Sequence, residues 1–144
     1  MDADEYQKII SNLIDFEIEM SSIAKSRQTL LLLHEKRETM LKMKEQINKD
    51  IRSTEVHYLS MRTGIREEFC RDNVNNSKRK KLLNKNKSPA MMRAKAMKKL
   101  ESDRKGKIEN YKDIKTNIDD VIVQIEDVMV EVYGSMKSLL GNNE

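Results

Sequence analysis

Residues 108–140 read IENYKDIKTNIDDVIVQIEDVMVEVYGSMKSLL. Ile108, Tyr111, Lys115, Ile118, Ile122, Ile125, Met129, Val132, Met136 and Leu139 follow one another at alternating steps of three and four, and only Lys115 is not apolar. That spacing lays them along one stripe of an α-helix, whereas a half-buried strand would alternate every second residue. Ile114, Val121 and Val128 add a second stripe, so the helix is expected to touch more than one neighbour. Gly141 followed by Asn142 supplies a stop, with Lys137 near the negative helix end.

Upstream, Ser88-Pro89 marks where this helix begins. Ser caps free amides, and Pro at the first helical position sacrifices no intrahelical hydrogen bond. At the other end of the chain, Asp2 and Glu5 have the spacing of a capping box, with Asp in place of Ser or Thr. Ile9, Leu13, Phe16, Met20 and Ile23 then form a stripe, and the stepping resumes at Ile47, Ile51, Thr54, Tyr58, Met61 and Ile65. Between them Leu30 to Leu33 is a solid apolar block, while Arg37 and Lys44 stand where the stripe calls for apolar residues. With no Pro before position 89, the pattern predicts one helix over about 3–70, with a kink near Ser21-Ser22. The run Asp72-Asn73-Val74-Asn75-Asn76-Ser77 loses the period and predicts a basic loop over about 71–88.

The fold expected is therefore all-α, an elongated antiparallel helical hairpin or coiled coil formed as one unit of two long helices, about 3–70 and 89–140. Composition agrees, since 36% of the 144 residues are charged, aromatics are 4% and there is no Trp. At 1.5 Å per residue the first helix would run roughly 100 Å and the second roughly 75 Å. The first would then overhang around Tyr6 to Ile23 with its apolar stripe exposed, which calls for a covering chain: a homo-oligomer or a helical partner. The same reading makes Ile9, Leu13, Phe16, Met20 and Ile23, with Ile118, Ile122, Ile125, Met129 and Val132, the candidate interface.

A single cysteine, Cys70, allows no intramolecular disulfide and points to a reducing, intracellular compartment: cytoplasmic, or nuclear in a eukaryote. No stretch approaches the roughly 18 apolar residues of a membrane span, and the acidic start is unlike a signal peptide, so no membrane association is expected.

Charge is unevenly placed. Residues 1–70 hold 11 Lys/Arg against 13 Asp/Glu, residues 71–107 hold 14 against 3, and residues 108–144 hold 3 against 8. The modest net charge of +4 thus conceals a strongly basic middle. Lys78, Arg79, Lys80 and Lys81 form a compact cluster, followed by Lys85 and Lys87. Arg93 comes next, and then Lys95, Lys98, Lys99, Ser102 and Lys105 share one face of the second helix, with Ala94, Met97 and Ile108 toward the opposite side. Repeated cations suit phosphates because they neutralise charge and release condensed counterions, a contribution indifferent to base sequence. A charge run is ordinarily a solvated helix face, but an imbalance of fourteen to three exceeds ordinary surface mixing.

Enzymatic constellations are missing from the pattern. His34 and His57 stand roughly 35 Å apart on a continuous helix, too far to share a metal or a proton, so no metal and no cofactor are expected. Glu67-Glu68 and Asp119-Asp120 diverge by about 100° on a helix, and the four glycines are too scattered for a phosphate loop. Cys70 has no identifiable base beside it. The sequence therefore suggests a non-enzymatic coiled-coil adaptor or assembly subunit without a small-molecule substrate, binding DNA or RNA non-specifically through residues 71–107. The alternative is a structural subunit of a secretion, cytoskeletal or scaffold assembly whose basic tip binds an acidic protein.

Overall fold

A computed structural model describes the backbone of residues 1–83 and 88–141, and the side chains of residues 1–68 and 88–141. Among these residues all regular structure is helical: α1 (Ala3–Ile14), α2 (Ile23–Leu83) and α3 (Pro89–Gly141). The helix α3 packs onto α2. Two compact units are formed, one by Met1–Lys49 with Tyr111–Glu144 and the other by Asp50–Asn110, called here units 1 and 2.

The capping box at the start of α1 is present. The Glu5 amide donates to Asp2 Oδ1 at 2.9 Å, and the Asp2 amide donates to Glu5 Oε2 at 3.3 Å. The continuous helix expected over 3–70 is not formed, because the chain leaves helical geometry between α1 and α2. Three local features oppose continuation there. Asp15 ends α1 outside helical dihedrals, Phe16, Ile18 and Met20 alternate with Glu17 and Glu19, and Ser22 competes as a cap. Ser22 Oγ accepts the Lys25 amide at 3.1 Å and so starts α2 afresh. Thr29 Oγ1 then donates to the Glu19 carbonyl at 2.8 Å and holds the connecting segment against the first turns of α2.

The expected loop over 71–88 is corrected over 71–83, because α2 continues through Asp72–Ser77 to Leu83, and positions 84–87 of that loop lie outside the described residues. Asn, Asp and Ser each cost only a few tenths of a kcal/mol relative to Ala inside a helix. No Gly or Pro stands between Gly64 and Pro89 to raise that cost. The restart at Ser88-Pro89 is found as expected: the Met91 amide donates to Ser88 Oγ and the Met92 amide to the Ser88 carbonyl, both at 3.1 Å.

In unit 1, α1 is not left with an exposed stripe. Tyr6 and Ile10 are its buried residues, and the Tyr6 ring meets Tyr111 edge-on with centroids 6.4 Å apart. Tyr111 Oη donates to the Met1 carbonyl at 2.8 Å. Ile9 and Leu13, expected to lead the stripe, are half-buried at its margin. From α2 the core takes Leu33, Met40 and Ile47, and from α3 Ile118 and Val132, with Ile118 and Val132 fully enclosed. Each such side chain contributes about 1.5–3 kcal/mol on burial. Arg37 and Lys44, the two breaks in the stripe, reach α3 as ion pairs, Arg37 to Glu126 at 3.0 Å and Lys44 to Asp119 at 2.6 Å. Both are partly exposed, so each is worth at most about 1 kcal/mol.

Unit 2 buries less. Tyr58 from α2 with Leu100 and Ile108 from α3 form its core, and Lys107 Nζ lies 6.0 Å from the centre of the Tyr58 ring.

Candidate basic interface

The cap at Ser88 and the inward positions Leu100 and Ile108 fix the rotation of α3 in unit 2. Arg93, Ala96, Met97 and Arg104 are half-buried beside that inward line. Lys95, Lys98, Lys99, Ser102 and Lys105 are all exposed, so the side chains expected to share a solvent face do so. Ala94, expected on the opposite side, is exposed, and Arg93 takes the half-buried position instead. No ion pair engages Lys95, Lys98, Lys99 or Lys105 among the described residues.

Arg104 behaves differently from these lysines. Its Nη1 donates to both Glu55 carboxylate oxygens at 2.8 and 2.9 Å, while Nη2 and Nε donate to Glu101 at 2.6 and 3.1 Å. One guanidinium thus bridges a carboxylate on α2 and another one turn away on its own helix. Hydrogen bonding to Glu101 and then Glu55 raises the pKa of Arg104 further, and hydrogen bonding to Arg104 holds the Glu101 carboxyl below its ordinary range. The charge of Arg104 is therefore consumed locally. Sequence reasoning missed this fork, although the three-residue spacing of Glu101 and Arg104 is a signal for half of it. Glu55 lies 49 residues away and gives none.

Beside the fork, Glu55, Val56, Leu59 and Arg62 of α2 face Met97, Lys98 and Leu100 of α3 across an open groove of about 650 Å³. Val56 and Leu59 are 67% and 63% exposed, large values for aliphatic side chains beside a packed helix pair.

Of the other candidate cations, Lys78, Arg79, Lys80 and Lys81 lie on the last turns of α2 with side chains outside the described set, and Lys85 and Lys87 lie outside the described residues altogether. The side chain of Cys70 is likewise outside them. Among the candidate interface residues, Ile118, Ile122, Ile125, Met129 and Val132 are buried within this chain, and Ile9, Leu13, Phe16, Met20 and Ile23 are half-buried. Phe16 lies under Lys36 Nζ, 4.6 Å from its ring centre. Both histidines are exposed, His57 edge-on to Tyr58.

Among the described residues no helix is long and apolar enough to cross a membrane. No family model matches the chain, and no curated protein or solved structure matches it.

Proposed function

We propose that this chain is a non-enzymatic helical binding protein whose basic segment, residues 71–107, binds nucleic acid without strong base specificity. The observation that carries the reading is the contrast within α3: Arg104 is held by two carboxylates, whereas Lys95, Lys98, Lys99 and Lys105 share a solvent face with no ion pair among the described residues. Cations left in water on one helix face can follow a row of phosphates and displace their counterions. The reading includes α2 and α3 as an antiparallel hairpin. It is supported by the order of the ion pairs, since Arg37 to Lys44 ascends α2 while their partners Glu126 to Asp119 descend α3.

The test is binding of the full chain to DNA and RNA across a salt series. Each phosphate contact steepens log affinity against log salt by roughly 0.7–0.9. Reversing Lys95, Lys98 and Lys99 to Glu is expected to weaken binding to every sequence tried and to flatten the salt response, with helicity retained. Aromatic stacking contributes little, because no Phe, Tyr or Trp stands between Cys70 and Asn110. Absence of binding at low salt, or an affinity unmoved by the triple reversal, would replace this reading with an acidic protein as the partner of the same face.

A further inference from the structure

The outward side of α3 in unit 1 carries apolar residues that are left exposed among the described residues. Val123, Val130 and Tyr133 are 55%, 70% and 54% exposed. Asp127 stands between the two valines on the helix surface, and Asp120 precedes Val123 by one turn. Asp119 and Glu126 are held by Lys44 and Arg37, but Asp120, Asp127 and Glu131 are exposed and have no ion pair among the described residues. No Lys or Arg occurs between Lys115 and Lys137, so the surface is apolar with acidic edges. Gly134 lies one turn beyond Val130, and a Cβ there would meet nothing within 4 Å, which leaves the backbone open to close approach.

The groove of unit 2 has the opposite character. Val56, Leu59, Met97 and Leu100 make it apolar. Arg104 bridges Glu55 and Glu101 and offsets one of their two charges, so with Arg62 and Lys98 on its edges the groove is left with a net positive charge. From Val123 to Tyr133 a helix advances about 15 Å, and the α2 wall from Glu55 to Arg62 advances about 10 Å, so the two surfaces are of similar length.

We propose that the acidic-edged stripe Val123–Tyr133 of one copy docks into the basic-edged groove of unit 2 of a second copy. Both surfaces belong to one sequence and complement each other in charge and in apolar character, which makes a second copy the occupant. Each copy carries one stripe and one groove, so the contact either closes reciprocally in a symmetric pair or continues from copy to copy.

Sedimentation of the full chain without nucleic acid tests this independently of the phosphate-binding reading. The weight-average mass is expected to rise with protein concentration and to fall with salt. Leu59→Glu removes the groove and Val130→Glu removes the stripe, and each is expected to weaken self-association by about tenfold or more. Mixed together, the two variants retain one usable groove and one usable stripe, so they should form a 1:1 pair that does not grow. As a second route, Arg62→Glu and Asp127→Arg should each weaken association, and the double variant should restore it. A monomeric wild-type chain, or a failure of both mixing and charge exchange, would overturn the proposal, the latter pointing to an unrelated acidic helix in the groove.

Discussion

Leu31 and Leu33 are chemically identical and two positions apart, yet Leu31 is 66% exposed and Leu33 is 1% exposed. Nothing within the block Leu30–Leu33 separates them; the rotation of α2 against its neighbours does. Leu33→Ala is expected to lower stability by about 2–5 kcal/mol and Leu31→Ala by less than about 0.5 kcal/mol, as read from denaturant midpoints at unchanged slope. Arg104 illustrates a second kind of dependence. The Glu101 pKa is lowered by its hydrogen bond to Arg104, whose guanidinium, like any arginine, stays charged throughout the acid range. A carboxyl depressed on folding adds its stabilisation above its unfolded pKa, about 4.3, and loses it as pH falls through the lower folded value. Carboxyl titration by NMR should find Glu101 below the ordinary glutamate value, and Arg104→Gln should raise it.

Elements were legible in the sequence where a cap named their first residue. Asp2 with Glu5 and Ser88 with Pro89 state where α1 and α3 begin, and both helices start there. The gap between α1 and α2 was less legible, because Phe16, Met20 and Ile23 continue a helical period on paper while Asp15 and Ser22 break it in space. The converse error came at Asp72–Ser77, where weak helix formers without Gly or Pro do not stop a long helix. Of the candidate basic surface, the shared lysine face was legible from period alone, whereas the removal of Arg104 from the available cations required a residue on another helix. The ends of α1 also decide what holds it. Twelve residues are too few for a stable isolated helix, so its stability must come from tertiary contact. Tyr6→Ala should therefore cost about 3–5 kcal/mol, and the amides of α1 should lose protection from hydrogen exchange before those of α3 do.

At the scale of the whole molecule, the sequence separations of the tertiary contacts are large for a helical protein. Glu55 and Arg104 are 49 residues apart, Lys44 and Asp119 are 75 apart, Arg37 and Glu126 are 89 apart, and Met1 and Tyr111 are 110 apart. The helices themselves are local, but every contact that joins two of them through these residues is not. Closing a flexible loop costs about 0.6 kcal/mol more for each doubling of its length, so the shortest closure, Glu55 to Arg104, carries the smallest entropic barrier. The expected order of folding is therefore that the contacts of unit 2 form first, those of unit 1 follow, and the docking of α1 through Tyr111 and Met1 comes last. In folding kinetics, Leu100→Ala should chiefly slow folding and Val132→Ala should chiefly accelerate unfolding, with the folding rate below that of helical bundles rich in short-range contacts. The reverse assignment of the two mutations would show that nucleation starts in unit 1 despite its longer closures. A chain built from the fastest-forming secondary structure would in this way be limited by the slow search for partners far along its length.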